Sequence, residues 1–144
     1  MFKVIFTLGV SCLLVAIFFP WDSRNQPEKY SPKNNEGYYN DLFCASLGGQ
    51  REVRHYYKYG TKKSYIKVDC ETKDYVYEGG LDKRSSLDSI QQVIFFSILT
   101  KKKPAVIVFD TDNQVGKYEH RIKLVANRLG VKFDRIKNES LGTN

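Results

Sequence analysis

Between Tyr65 and Phe96 the chain switches hydrophobic period once, and that switch limits the folds open to it. Ile66, Val68 and Cys70 alternate with Tyr65, Lys67 and Asp69, the period-two pattern of a strand. Glu71-Thr72-Lys73-Asp74 is a polar turn, and Tyr75-Val76-Tyr77 is again rich in strand-forming side chains. Gly79-Gly80 are expected to end this second strand. Ser85-Ser86-Leu87-Asp88 has the form of a capping box with Ser85 as N-cap. Leu87, Ile90, Ile94 and Ile98 follow at helical spacing and predict one buried stripe. The stretch reads as a β-hairpin feeding an amphipathic helix.

Folding the hairpin between Thr72 and Lys73 sets Asp69 opposite Val76 and Lys67 opposite Glu78. Asp69 and Glu78 are then diagonal neighbours on one face, roughly 7–8 Å apart at the backbone. Carboxylates so placed suit one divalent cation, a hard ion that takes oxygen ligands. The geometry requires an even loop, because a one-residue slip sends the two acids to opposite faces.

The N-terminal residues pose a different constraint. Val4 to Phe19 is an apolar run preceded by Lys3; as a helix it spans about 24 Å, short of a ~30 Å hydrocarbon core. A lysine, an apolar run and a polar exit describe a signal peptide or a signal anchor. No small-residue cleavage motif follows Phe18-Phe19-Pro20-Trp21, so residues 1–21 are expected to be an uncleaved anchor with Trp21 at the interface. A buried core helix is the alternative. Lysines and arginines lie on both sides of the run, and the expectation is a domain on the exported, extracytoplasmic side. Residues 22–35 are polar, contain two prolines and read as a linker.

One domain is expected over residues 36–137, with a tail at 138–144. Tyr38 to Leu47 forms a short helix with Tyr39, Leu42, Phe43 and Leu47 on one side, stopped by Gly48-Gly49. Glu52 to Tyr59 is the first strand. After the central helix, Lys101-Lys102-Lys103 suits a helix C-terminus, where cations favour the dipole, and Pro104 blocks continuation. Ala105 to Phe109 is a continuous apolar run, typical of a strand covered on both faces. Tyr118 to Leu129 is an amphipathic helix with Ile122, Val125 and Leu129 on one side, and Val131 to Ile136 is the last strand. The order is α, β, β, β, α, β, α, β.

Cys44 with Leu47-Gly48-Gly49, then Val68-Asp69-Cys70, Tyr77-Glu78 and Gln91-Gln92 form an ordered set from about Asn40 to Ile136. This set resembles a branch of the PD-(D/E)XK nuclease-like superfamily, the restriction-endonuclease-like fold. The resemblance implies an α/β domain with an αβββαβ core plus a further helix and strand. It implies Asp69 and Glu78 as ligands of Mg²⁺ (or Mn²⁺), with Gln92 or Gln91 near the metal-bound water or the nucleic-acid backbone. A nearby lysine would stabilise charge on the phosphoryl group. The superfamily's lysine normally follows the second acid by two residues, and here that position is Gly80. Lys83 or Lys67 would have to replace it; otherwise the fold is a binding module without hydrolysis. Cys44 and Cys70 pack together in this fold, as a disulfide in an oxidising compartment or as two buried thiols.

The remaining residues narrow the classes. His55 and His120 show no zinc spacing with the cysteines, and there is neither a phosphate-cradling glycine loop nor a nucleophile elbow. Glu36 and Asp41 on the first helix are candidates for a further acid, with solvated side chains the simpler reading; Asp110 and Asp112 are candidates for a separate cation site, with ordinary loop acids after a strand the simpler reading. Net charge is +7. Lys58, Lys62, Lys63 and Lys67 interleave with Tyr56, Tyr57, Tyr59 and Tyr65, which suits a phosphate backbone with stacked bases or an anionic membrane beside the anchor, with solvated surface lysines as the default reading.

Overall fold

The computed structural model describes residues 35–83, 87–137 and 140. The expected anchor, nearly all of the linker, the Ser85 cap and most of the tail lie outside them. Among the described residues no helix is long and apolar enough to cross a membrane.

Three helices and five strands follow in the expected order: α1 (Glu36–Ser46), β1 (Gln50–Tyr59), β2 (Lys62–Glu71), β3 (Tyr75–Leu81), α2 (Leu87–Thr100), β4 (Lys103–Asp110), α3 (Lys117–Leu129) and β5 (Lys132–Lys137). The sheet order is β1-β2-β3-β4-β5. β1, β2 and β3 pair antiparallel; β3, β4 and β5 pair parallel, with α2 and α3 as the two crossovers. The fold is α/β with a mixed sheet.

The apolar run of β4 has both faces covered, and its alternation divides the core. Val106 and Val108 join Ile90, Val93 and Phe96 of α2 and Ile122 and Ala126 of α3. Ala105, Ile107 and Phe109 join Tyr39, Phe43 and Cys44 of α1. The sheet is therefore a middle layer, with α1 on one side and the crossover helices on the other.

The helical faces differ from expectation. α2 buries Ser89, Ile90, Val93 and Phe96, while Leu87 and Ile98 are exposed and Ile94 only partly covered. The apolar residues of this helix are spread almost all the way round it, so spacing leaves its rotation open until the sheet selects a side. α1 buries Tyr39, Asn40, Phe43 and Cys44, and Leu47 is exposed. On α3, Leu129 is exposed and Glu119 is buried with Ile122 and Ala126.

β3 also corrects the expectation at Gly79-Gly80, because the strand runs through both glycines. A side chain on Gly79 would overlap the Asn40 amide and come within 2.9 Å of the Phe109 ring. The glycine admits α1 to the sheet rather than ending the strand.

Candidate functional site

The β2–β3 hairpin turns one residue later than expected. Thr72 closes it: its backbone N–H donates to the Tyr75 carbonyl at 2.9 Å, and the Tyr75 N–H donates to Thr72 Oγ1 at 3.1 Å. Lys73 and Asp74 form the tip. Cys70 pairs with Tyr77 and Glu71 with Val76, so Val76 faces Glu71 and not Asp69. The register is displaced by two residues from the expected one. Extending the register by one pair sets Asp69 beside Glu78, in place of the expected diagonal.

Asp69 is held from two directions. Its Oδ2 accepts from Asn40 Nδ2 of α1 at 3.0 Å and from the Gly79 N–H of β3 at 3.1 Å. Its neighbour Cys70 is also tied to α1, through a disulfide to Cys44 with Cα atoms 5.4 Å apart. Successive side chains of a regular strand point to opposite faces, so two adjacent residues engaging one helix require a local distortion. The β1–β2 ladder supplies it. Arg51 pairs with Cys70 and Val53 with Val68, whereas Glu52, between them, leaves the ladder with φ +48°. A non-glycine residue with such a φ marks local strain, and here the strain lies across from Asp69.

Burial and like charge dominate the electrostatics. Glu78 is 8% exposed; burial first, then the charges of Asp69 and Glu36, push its carboxyl up to about 9. Burial also raises Asp69, opposed by the Gly79 N–H and the Asn40 amide and reinforced by Glu36. Among the described residues no cation forms an ion pair with Asp69 or Glu78. Glu78 therefore retains its proton at neutral pH unless a cation takes its place.

The two lysines lie elsewhere. Lys67 Nζ sits 2.8 Å from Glu52 Oε1, and Lys83 is exposed in the turn after β3. Gln91 and Gln92 are exposed on α2 and line a groove of about 560 Å³ with Lys67, Ile66, Tyr57 and Asp88. Neither Asp69 nor Glu78 lines this groove. Asn40 escaped the sequence reading. The signal it left is a polar residue on the helical stripe of Tyr39, Phe43 and Cys44.

A second acidic group forms where β3 and β4 end. Carboxylate oxygens of Asp82, Asp110 and Asp112 lie within 4.8 Å of one another, the one such group of three among the described residues. These oxygens are already engaged. Asp82 accepts from the Thr111 N–H and Oγ1, both at 2.7 Å. Asp110 accepts from the Asn113 N–H at 2.8 Å and lies 2.7 Å from Arg135 Nη2, close but without hydrogen-bond alignment. Asp112 accepts from the Gln114 N–H at 2.8 Å. Arg135 also bonds Glu119 at 2.5 Å. This group ties the loop after β4 to β5 and α3; Asp112 is an exposed loop acid, whereas Asp110 ends β4 and is buried against Arg135, which corrects the loop-acid reading there. Asp82 was not anticipated there.

No family model, curated protein or solved structure matches the chain.

Proposed function

We propose that the chain is a membrane-anchored, metal-dependent nuclease-like protein that hydrolyses phosphodiester bonds of DNA or RNA on a restriction-endonuclease-like domain. One observation carries the reading: Asp69 and Glu78 converge from neighbouring strands in a buried place, with no basic group among the described residues to neutralise them. A structural acid pair in the same place would be expected to have a lysine or arginine beside it. The donors are hard oxygens, which suit Mg²⁺ or Mn²⁺. Bound there, the ion would supply charge neutralisation and polarisation of a phosphodiester.

The chain's own groups have separable tasks. Asn40 and the Gly79 N–H orient Asp69, leaving its second oxygen for a ligand. Gln92 and Lys67 line a separate groove and offer hydrogen bonds and charge to a sugar-phosphate chain. Lys83, exposed in the turn after β3, is the candidate cationic group. Anchoring rests on residues 1–21, and placement on the exported side accords with the Cys44–Cys70 disulfide.

A second reading, a domain that binds nucleic acid or a protein partner without hydrolysis, draws on one observation. Gly80 stands at the usual lysine position, and Lys67 is engaged by Glu52. One assay separates the two. The full chain is incubated with single- and double-stranded DNA and RNA and Mg²⁺ or Mn²⁺, beside Asp69→Asn/Glu78→Gln. Cleavage by the parent and none by the variant is expected. A folded parent that is inert with both metals sinks the hydrolase and leaves the binding module.

A further inference from the structure

We propose that the outer face of the β1–β2 hairpin is a platform for single-stranded nucleic acid. This goes beyond the phosphodiesterase reading and does not depend on it. Three successive cross-strand pairs occupy this face: Arg54 with Lys67, Tyr56 with Tyr65, and Lys58 with Lys63. The opposite face turns inward, where the Tyr57 ring meets Phe95 of α2 with centroids 5.2 Å apart. On the outer face α1 reaches only the far end, through the Arg51–Asp41 ion pair and the disulfide.

The central rings are fixed yet open. Tyr56 and Tyr65 lie 5.9 Å apart, one on each strand, and remain 58% and 51% exposed. Each carries a cation: Lys63 Nζ is 4.3 Å from the Tyr56 centroid, and the Arg54 guanidinium is 5.2 Å from that of Tyr65. At the hairpin end Tyr56, Tyr57, Lys58, Thr61 and Lys63 bound a depression of about 310 Å³, within the range that holds a small ligand.

The arrangement of charge and aromatics selects the partner. Rings bracketed by cations at both ends match a chain of alternating bases and phosphates: bases stack on the tyrosines while the basic groups neutralise the backbone. A duplex hides its base faces, so the platform suits a single strand. A lipid surface calls for aliphatic or tryptophan side chains among the lysines, and this face has none. Following Tyr65 and Lys67, the next residue in the alternation of β2 is Asp69. Delivery of a strand to the carboxyl pair is the one element that rests on the phosphodiesterase reading.

Binding is tested without cleavage. The full chain is titrated against labelled oligothymidylate, oligouridylate and a mixed-sequence duplex in EDTA across a salt series. Vesicles containing phosphatidylserine form a parallel arm. The expected result is tighter binding of both single strands than of the duplex. Tyr56→Ala/Tyr65→Ala is expected to lose on the order of tenfold or more, while Tyr56→Phe/Tyr65→Phe retains binding. Lys63→Ala is expected to flatten the salt slope by roughly 0.7. Melting curves show that each variant is folded, and Lys63→Ala stands as an independent test if the alanine pair is not. Parent-like binding by the folded alanine pair overturns the proposal. So does tighter binding of the duplex, or binding of vesicles with none of either oligonucleotide. Failure of cleavage with this binding intact strikes only the phosphodiesterase reading.

Discussion

The Asn40 side-chain amide donates to Asp69 Oδ2 at 3.0 Å across 29 residues of sequence. It is the polar link that orients the candidate ligand, and the disulfide one residue along β2 clamps the same helix to the same strand. Asn40→Ala removes a hydrogen bond to a carboxyl that burial already disfavours as an anion. The expected cost is about 1.5–3 kcal/mol of stability by urea denaturation at neutral pH. If Asp69 holds a metal, Mg²⁺ affinity by calorimetry should fall roughly 10–100-fold. A variant as stable as the parent would show that the contact is incidental.

Gly79→Ala tests the close approach of α1 to β3. The new methyl would overlap the Asn40 amide and crowd Phe109. Overpacking of this kind costs about 1–3 kcal/mol. Loss of the Asn40–Asp69 bond should make this substitution and Asn40→Ala less than additive in a double-mutant cycle. Full additivity would argue that Asn40 keeps its place in the glycine variant.

The Glu78 carboxyl predicts an unusual pH dependence. It titrates at about 9 in the folded chain against an ordinary 4.5. Between those values the native state holds a proton that the unfolded state has released, so this group's contribution to stability declines as pH rises. Its slope reaches about 1.4 kcal/mol per pH unit. In EDTA, Glu78→Gln should flatten the decline relative to the parent, and Mg²⁺ should stabilise the parent more at high pH than at low. Identical pH profiles for parent and variant would remove the burial argument.

The Cys44–Cys70 bridge closes a loop with a sequence separation of 26. Loop-closure entropy assigns such a link about 3.5 kcal/mol. Cys44→Ala/Cys70→Ala should lower stability by a comparable amount and, because the bridge adjoins Asp69, weaken Mg²⁺ binding as well. Stability lost with metal binding unchanged would confine the bridge to a structural role.

Much of the architecture was legible locally. The alternation through Ile66, Val68 and Cys70, the apolar run of β4 and the amphipathic Tyr118–Leu129 stretch yielded the eight elements in order. Asp69 and Glu78 lie on the two facing strands as expected, although the turn lay a residue later and the register shifted by two. Less legible was the rotation of α2, whose apolar residues almost encircle the helix. Neither the role of Gly79 nor that of Asn40 carried a local mark strong enough to decide it.

By itself the sequence determined the α/β element order, because that order follows from periods of two and 3.6 residues that neighbouring side chains express. Only the tertiary structure decided which side of α2 meets the sheet, that β3 continues through two glycines, and that α1 comes down on Asp69 and Cys70. Those outcomes depend on contacts such as Asn40 with Asp69 and Cys44 with Cys70, 29 and 26 residues apart. At that separation packing, burial and backbone distortion choose among partners that local periodicity leaves equivalent.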